Sequence, residues 1–313
     1  MPVGIITEAR ALRADELPRE IIRRHDEMNR LADALRPAVD GDSPQTTFFE
    51  GPSGAGKTTV ARRGVEKLKA KVLDIDVAYV ECWDRTTTGA LRRVVDQIIA
   101  KPIHDNAGRE TLMGHLRDHD RQVIVILDEA DQLADFGIIH DLYDCRQTTL
   151  LGIVNRLEPW YSRLDERIQS RASAAIEVHF DAYTDDELAA ILQDRVDWGL
   201  APNAVASDTV EYIARQADGD ARKAVSILRH AARDAEREGC DQITDAVVDE
   251  VLGAAETDVK EISLAKLSTN HRRLYEVLTD TELAPSEMYA AYKEADPQSR
   301  GERHVRDLRK KLE

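Results

Sequence analysis

The spacing of apolar and polar residues divides the chain into three regions. Up to about residue 180, short runs of β-branched and aliphatic residues alternate with stretches of helical period. Runs that are apolar on both faces are typical of buried parallel strands, and strands alternating with helices predict an α/β fold with helices on both faces of a parallel sheet. The candidate strands are "TTFFE", "VLDIDVAYVEC", "VIVILDEA", "TTLLGIVN" and "IEVHFDAY".

The pattern changes after the last of these strands. From residue 184 to about 255 every segment has helical period, which predicts a small all-α domain. A polar stretch near 256–265 then leads to three short helices of helix-turn-helix proportions, "TNHRRLYEVLTD", "APSEMYAAYKEAD" and "GERHVRDLRKKLE". The predicted domains are 1–181, 182–256 and 257–313. Residues 15–38 also have apolar positions at helical spacing, and we expect a helix there that ends near Pro37.

A glycine-rich stretch, "GPSGAGKTT", lies between the first candidate strand and a helix. It matches G-x-x-x-x-G-K-[ST], in which glycines let backbone N–H groups converge on a phosphate and the helix N-terminus adds its dipole. In that pattern Lys57 reaches the β- and γ-phosphates and the Thr58 hydroxyl binds Mg²⁺. A chance match in a chain of this length is on the order of one per cent.

The alternative is a simple glycine-rich turn, but the strand before and the helix after are the context that the motif requires. The loop is therefore predicted to hold a nucleotide. The residues predicted to bind it are Gly51, Pro52, Ser53, Gly54, Ala55, Gly56, Lys57, Thr58 and Thr59.

Two acids end the strand that begins "VIVIL". Asp128 suits the coordination shell of Mg²⁺, and Glu129 could orient or deprotonate the attacking water. The alternative is that the pair only caps the next helix. The tetrapeptide "DEAD" suggests a helicase, but we interpret it as a coincidence, because one nucleotide-binding core fits here and the other helicase motifs are not visible.

Three further polar residues lie where a nucleotide-dependent switch needs them. Asn155 ends the strand "TTLLGIVN" and could position the lytic water, although a lone asparagine there is more often a turn residue. Arg171, in "LDERIQSRASAA", could reach the γ-phosphate of a neighbouring subunit as an arginine finger; the alternative is an exposed salt bridge. Arg222, in "GDARKAVSIL", lies in the first turn of a helix of the all-α domain, where it could sense the γ-phosphate or be an ordinary surface arginine.

Taken in order, these motifs resemble an AAA+ ATPase and, more narrowly, the archaeal origin-recognition replication initiators. The resemblance runs nearly from end to end. "LPREIIRRHDEMNRLADALRPAVDGDSP" is similar to the adenine-side segment of that family, "GPSGAGKTT" to its Walker A loop, "VIVILDEADQL" to its Walker B strand, "LLGIVN" to sensor 1, "LDERIQSR" to the arginine-bearing segment and "GDARKAV" to sensor 2.

The resemblance implies an α/β P-loop AAA+ domain, a helical lid, and ATP or ADP with Mg²⁺ as ligands. It implies that Lys57 and Thr58 bind phosphate and Mg²⁺, that Asp128 and Glu129 serve Mg²⁺ and hydrolysis, and that Asn155 and Arg222 sense the γ-phosphate. For the finger, Arg171 is preferred because "QSR" is similar to the clamp-loader and initiator pattern. Arg167 is the alternative.

The family also implies a C-terminal winged helix that binds duplex DNA at origins. This chain departs from the pattern because it stops at "RDLRKKLE", so we expect a partial winged-helix domain with no room for the two-stranded wing. Apolar residues at helical spacing within 305–312 are expected to face its core. The candidate DNA contacts on another face are Arg303, Arg306 and Lys310, with a solvated basic face as the alternative.

Composition changes this interpretation in two ways. The net charge of −16 argues against a polyanionic partner overall, yet residues 266–313 carry 10 basic and 9 acidic groups. Arginine outnumbers lysine 32 to 11 and acids are spread along the chain, which suits a halophile's cytoplasm; the alternative is an ordinary acidic protein.

The three cysteines lack metal-type spacing and are expected to be reduced. Without a long apolar run or a secretory signal, we expect a cytoplasmic, chromosome-associated protein with no membrane contact.

The resulting hypothesis is an ATP-binding, slowly ATP-hydrolysing replication initiator that binds origin duplex DNA and helps recruit the replicative helicase. ATP would act as a conformational switch, and an arginine finger would allow homo- or hetero-oligomers. One alternative is a clamp-loader-like or other AAA+ ATPase that acts on protein partners. Another is a DNA-binding regulator that keeps its nucleotide without hydrolysing it.

Overall fold

The structure, a computed structural model, describes residues 4–266, 269–279, 285–295, 305, 306 and 309. The chain divides into two compact units, Met1–Val259 and Lys260–Glu313.

The centre of the first unit is a parallel sheet of five strands in the order β2-β3-β4-β1-β5. The strands are β1 Thr47–Glu50, β2 Ile75–Glu81, β3 Gln122–Asp128, β4 Thr148–Val154 and β5 Ile176–His179. The first strand along the chain, β1, is therefore an inner strand of the sheet, between β4 and β5. Ligands of open parallel sheets bind beyond the carboxyl ends of the strands, where such changes of order leave a crevice.

Helices cover both faces of this sheet. Successive residues of a strand point to opposite faces, so neighbouring strand residues are buried in different cores. The helices around it are α1 His25–Leu35, α2 Lys57–Lys69, α3 Thr87–Ile98, α4 Arg109–Arg117, α5 Gly137–Tyr143, α6 Leu157–Tyr161 and α7 Glu166–Ala172. Phe48 is buried in a core with residues of α3 to α7. Its neighbour Phe49 is buried in a separate core with residues of α1 and α2. The predicted α/β fold with helices on both faces is confirmed.

The helical region after β5 packs around its own core. Its helices are α8 Asp185–Gly199, α9 Ser207–Gln216, α10 Ala221–Glu238 and α11 Asp245–Lys266. Helix α8 begins with a capping box, in which the Thr184 hydroxyl accepts from the backbone N–H of Glu187 and the Glu187 carboxylate accepts from that of Thr184. We call the part of this helical region that belongs to the first unit, up to Val259, the lid.

The first residues of the described chain pack against the lid, although the predicted domain 1–181 placed them with the sheet. Ile5 and Leu12 are buried in the lid core. The buried Arg195 of α8 donates from Nη1 to the carbonyl of Ala11 at 3.0 Å and from Nη2 to that of Glu16 at 2.9 Å. Two backbone carbonyls are thus fixed by one guanidinium, which anchors the segment.

The structure refines the sequence-based picture at two places. The helix expected over residues 15–38 covers only α1, because the chain before it is irregular and Arg23 has a left-handed backbone with a φ of 64°. The polar stretch near 256–265, which precedes the predicted C-terminal helices, is part of α11. It contains neither proline nor glycine, so nothing in its sequence interrupts the helix.

The second unit contains two of the predicted short helices, α12 Thr269–Thr279 and α13 Pro285–Ala295. Leu274, Met288, Tyr292 and Val305 form its buried cluster. Val305 is therefore core-facing, as its spacing predicts. Among the described helices, none is both long and apolar enough to cross a membrane.

Candidate nucleotide-binding site

The glycine loop lies between β1 and α2, at the carboxyl edge of the sheet. Gly54 and Gly56 have left-handed backbones, with φ of 72° and 92°. A Cβ on Gly54 would overlap the Asp220 carboxylate, and one on Gly56 would overlap the hydroxyl of Tyr183. Glycine is required at both positions for backbone conformation and for close approach, which is the property that the phosphate-binding pattern needs.

Within the loop, Ala55 is buried whereas Pro52 and Ser53 are exposed, and Thr59 is half-buried in the first turn of α2. The Lys57 side chain curls back along the loop. Its ammonium donates to the carbonyls of Gly51 at 2.5 Å and Pro52 at 2.7 Å.

Lys57 is only 7% exposed. Burial lowers the pKa of its ammonium to about 8, and the nearby Asp128 charge offsets part of that shift. A cation held this far from water gains more from a phosphate partner than a solvated lysine would, because the interaction occurs in a medium of low dielectric constant.

Thr58 and Asp128 meet at the start of α2 and the end of β3. The Thr58 hydroxyl Oγ1 lies 3.1 Å from Oδ1 and 3.0 Å from Oδ2 of Asp128, whose residue is 5% exposed. Hydroxyl and carboxylate oxygens are the ligand types that Mg²⁺ takes in proteins together with substrate phosphates, so this pair fits the predicted metal. Sequence reasoning placed both residues at the site.

Tyr79 of β2 completes this corner and was missed by sequence reasoning. Its hydroxyl donates to Asp128 Oδ2 at 2.5 Å. Burial, the charge of Asp128 and this hydrogen bond all raise the pKa of Tyr79, so the phenol remains a donor. The stretch "DVAYVEC" indicates a strand and nothing more, so the partner of the hydroxyl becomes visible only in the tertiary structure.

Glu129 directly follows Asp128 and has a left-handed backbone, with a φ of 56°. Such a conformation is uncommon for a residue with a Cβ, and strained backbone of this kind is enriched at functional sites. The turn changes the direction of the chain immediately after β3, and the following residues form a short 3₁₀ helix, Ala130–Gln132.

Asn155 follows β4 and is exposed at the same edge of the sheet as the glycine loop, because Val154 pairs in register with Glu50 of β1. Asp131 lies close to it: burial raises the pKa of the Asp131 carboxyl, and the backbone N–H of Asn155 is among the groups that oppose this shift. Asp131 was not singled out from the sequence, where it lies two residues after Glu129 in "DEAD".

The lid contacts the glycine loop through the first turn of α10. The Asp220 carboxylate caps this helix, accepting from the backbone N–H of Arg222 at 2.7 Å and of Lys223 at 3.1 Å. The backbone N–H of Ala221 donates to the carbonyl of Gly54 at 3.3 Å. The Arg222 charge also contributes to lowering the pKa of Lys57, which places the two cations within electrostatic reach. The structure thus brings Arg222 to the loop.

Arg24, which sequence reasoning also missed, joins the loop to the junction between sheet and lid. Its Nε donates to the carbonyl of Ala55 at 3.1 Å and its Nη2 to that of Asp181 at 2.5 Å. Its Nη1 pairs with Glu27 at 3.0 Å, and the guanidinium carbon lies 3.9 Å from the centre of the Tyr183 ring. This side chain is buried, and only the tertiary structure reveals its partners.

The candidate finger residues lie on α7, away from these contacts. Arg171 pairs with Asp144 at 2.6 Å and its side chain is 52% exposed. That hydrogen bond lowers the pKa of Asp144. Arg167 and Arg171 line a small pocket together with His140. Within the described part of the chain, no hydrogen bond or ion pair connects either arginine to the glycine loop or to Asp128.

Of the three predicted DNA contacts, Arg306 is exposed. Arg303 and Lys310 lie outside the described residues.

Comparisons with known proteins agree with this architecture. Residues 41–163 match the model of an AAA domain family, and residues 189–252 match that of the Cdc6 AAA+ ATPase-type lid domain. ORC1-type DNA replication protein 1 of Halobacterium salinarum is 36% identical over 293 residues, which cover 92% of this chain and 95% of that relative. The chain belongs to the ORC1-type DNA replication proteins.

Other members of this ORC1-type family and its solved structures extend the match. ORC1-type DNA replication protein 9 of the same organism is 35% identical, covering 100% of this chain and 90% of the relative. The structure of Aeropyrum pernix ORC1 in complex with DNA has a TM-score of 0.79 and 25% identity, covering 100% of this chain and 88% of that one. The Aeropyrum pernix ORC2 structure with ADPNP and ADP, at 21% identity and a TM-score of 0.72, covers 99% of this chain and 90% of that one and shares the fold. The parallel α/β AAA+ domain and the helical lid are confirmed.

Proposed function

We propose that this ORC1-type protein is an ATP-controlled replication initiator. It binds ATP or ADP with Mg²⁺ at the glycine loop, binds duplex DNA at origins, and helps recruit the replicative helicase. The observation that carries the nucleotide part is the direct contact between Thr58 and Asp128 beside the buried Lys57. Membership of the ORC1-type family supports the replication part. Its place of action would be the cytoplasm, on the chromosome.

The loop amides and the Lys57 ammonium would bind the β- and γ-phosphates, in place of the carbonyls that Lys57 now contacts. Thr58 and Asp128 would hold Mg²⁺, which supplies positive charge to the phosphate oxygens during transfer. Glu129 would orient the attacking water and Asn155 would help to position it. Because little covalent chemistry falls to the protein, these residues act mainly by placement and charge.

Arg222 would sense the γ-phosphate from the lid. It lies at the start of α10, where Asp220 fixes the backbone and Ala221 contacts Gly54. ATP offers this arginine one more phosphate than ADP does, so the two nucleotides would favour different positions of the lid. Slow hydrolysis would then act as a timer for the switch.

For DNA binding, we propose that residues 257–313 form a winged-helix-type domain that contacts DNA through Arg303, Arg306 and Lys310. The solved complex of Aeropyrum pernix ORC1 with DNA supports this proposal. The finger role, in a homo- or hetero-oligomer, belongs to Arg171 or Arg167. The exposure of Arg171 is compatible with reaching another subunit.

Footprinting of the full chain on chromosomal DNA, with ATP and with ADP, tests the origin role. We expect a few preferred duplex sites, an affinity that differs between the nucleotides, and a steep loss of affinity with added salt. Arg306→Ala should weaken binding, whereas Arg36→Ala, which removes an exposed arginine of the first unit, should not. Uniform binding without preferred sites would contradict the origin role and favour an ATPase that acts on protein partners.

Glu129→Gln tests the hydrolytic part separately. Phosphate release should fall in this variant while ATP binding persists, because the amide keeps the size of the side chain and removes its basicity. Unchanged phosphate release would contradict the role of Glu129.

A further inference from the structure

The hydrogen bond between Tyr79 and Asp128 has a geometry that suits a role beyond packing. Tyr79 Oη lies 2.5 Å from Asp128 Oδ2, and the Thr58 hydroxyl lies near both oxygens of the same carboxylate. The carboxylate is therefore approached from two sides, by a hydroxyl of α2 and by a phenol of β2. Thr58 belongs to the proposed metal ligands, whereas the Tyr79 hydroxyl acts on the aspartate.

Tyr79 is itself held in place through its backbone. Strand β2 lies at an edge of the sheet, where one side of its backbone has no neighbouring strand among the described residues. The side chain of Gln97, from α3, occupies that side: its Oε1 accepts from the Tyr79 N–H at 3.0 Å and its Nε2 donates to the Tyr79 carbonyl at 2.9 Å. On the other side, Tyr79 is in register with Ile126 of β3, two residues before Asp128.

The Tyr79 ring is also confined. It packs against the core that contains residues of α1 and α2, and the guanidinium carbon of Arg62 lies 5.6 Å from its centre. Both the backbone and the ring of Tyr79 are therefore held in place. As a result, the sheet and its neighbours determine where the phenol hydroxyl lies. A donor fixed in this way selects one orientation of the carboxylate that accepts from it.

We propose that Tyr79 is a positioning residue that holds the Asp128 carboxylate in the orientation required for Mg²⁺, through its hydrogen bond to Oδ2. The inference depends on the proposed function, because it concerns the same metal. Because Oδ2 accepts the hydrogen bond from the phenol, Oδ1 would be the oxygen available to Mg²⁺ once the Thr58 hydroxyl also bound the metal. Removal of a hydrogen-bond partner of a metal ligand commonly lowers the metal affinity by about 10- to 100-fold.

The test is Tyr79→Phe, which removes the hydroxyl and keeps the ring. ADP binding is measured by calorimetry over a series of Mg²⁺ concentrations and again in EDTA. We expect the Mg²⁺ concentration for half-maximal enhancement of ADP binding to rise about tenfold, while ADP affinity in EDTA stays the same. A direct Mn²⁺ titration by electron paramagnetic resonance, with ADP present, should show the same loss of metal affinity.

The chain offers a matched control in the lid. Tyr212 of α9 donates its hydroxyl to Asp249 Oδ1 of α11 at 2.5 Å, a hydrogen bond between the same two groups at an exposed position of the lid. Tyr212→Phe should leave the Mg²⁺ dependence unchanged. Asp128→Asn should abolish the Mg²⁺ enhancement and so marks the full effect of losing the carboxylate.

An unchanged Mg²⁺ dependence in Tyr79→Phe, with Asp128→Asn defective, would overturn the inference and leave the proposed function intact. Equal weakening of ADP binding with and without Mg²⁺ would also overturn it, since that result indicates a structural role. If the unaltered protein bound no ADP with Mg²⁺, the proposed function would fail first and the inference with it.

Discussion

The sheet side and the lid side of the candidate site are built differently. On the sheet side, Thr58 and Tyr79 each contact the Asp128 carboxylate directly, with distances of 2.5 to 3.1 Å. On the lid side, the Arg222 charge is within electrostatic reach of Lys57, and the hydrogen bond from α10 to the loop is a long backbone contact, from the Ala221 N–H to the Gly54 carbonyl at 3.3 Å. The metal corner is thus assembled by the fold, whereas the position of Arg222 depends on how the lid lies.

This difference separates two tasks. A preassembled corner suits binding, because its side chains already lie together before the ligand arrives and little ordering is required. A residue on a second element suits sensing, because its distance from the γ-phosphate changes when that element moves. Arg24 lies where the two sides meet, with hydrogen bonds to Ala55 and to Asp181. Four changes test this division.

The largest effect is expected from Arg24→Ala. It leaves the Glu27 carboxylate and two backbone carbonyls without their buried cationic partner, so the free energy of unfolding should fall by about 3 to 5 kcal/mol. Chemical denaturation measures this change. Arg36→Ala is the control, since Arg36 forms an exposed pair with Asp33 and should leave stability almost unchanged. An unchanged free energy of unfolding in Arg24→Ala would contradict the role of Arg24 in connecting the glycine loop to the start of the lid.

Arg222→Ala should separate sensing from binding. We expect ATP hydrolysis to fall about 100-fold, as when a charge-stabilising donor is removed, with ADP affinity changed only a few-fold. Single-turnover phosphate release and calorimetry with ADP give the two values. Lys223→Ala is the matched control, because the Lys223 ammonium pairs with Asp218 and Glu256 instead. Equal loss of ADP and ATP binding in Arg222→Ala would show that Arg222 belongs to the binding side.

Nucleotide affinity should depend on pH through Lys57, whose pKa is about 8 in the folded protein. The lysine must be protonated to pair with phosphates, so affinity should be full below about pH 8 and fall by up to about tenfold per pH unit above it. The nucleotide-free protein should show the opposite trend. The lowered pKa means that the unfolded chain binds more protons between about pH 8 and the ordinary lysine pKa of 10.5, so stability should rise there.

Calorimetry at about pH 7.5, 8.5 and 9.5, in two buffers of different ionisation enthalpy, measures both the affinity and the proton uptake. An affinity that stays constant over this range, without proton uptake, would mean that Lys57 is already fully protonated before the nucleotide binds. That result would contradict the burial argument.

The smallest effect is expected at Asp220. Asp220→Ala removes the cap of α10 and should reduce the free energy of unfolding by about 1 kcal/mol. Asp220→Asn should restore most of this loss, because asparagine accepts the same backbone N–H groups. Thermal denaturation compares the two. Equal destabilisation by both substitutions would indicate that the charge near Gly54, rather than the cap, is what matters.

The sheet and its loop could be predicted from the sequence because local patterns encode them. Buried parallel strands are apolar on both faces, and the spacing from Gly51 to Thr58 is dictated by the phosphate-binding conformation. The contact between Thr58 and Asp128 follows from the fold once those patterns are recognised. The structure bears out the strand and loop predictions, while the roles of the individual residues stay predictions.

The remaining parts depend on contacts between distant segments, which local patterns do not record. Arg24 is one of many arginines in the sequence, and only its burial against Ala55, Asp181 and Tyr183 distinguishes it. Tyr79 looks like any strand residue. The packing of Ile5 and Leu12 on the lid was missed for the same reason, since most of the lid core lies far along the chain from them.

The most direct test of the account is calorimetry of the full chain with ADP and Mg²⁺, comparing the unaltered protein with Lys57→Ala and Lys67→Ala. Lys67 is exposed on the same helix as Lys57, so its replacement by alanine changes the net charge by the same amount. The account predicts one bound nucleotide per chain, lost in Lys57→Ala and retained in Lys67→Ala. Binding of equal strength in Lys57→Ala, or no heat of binding in the unaltered protein, would contradict it.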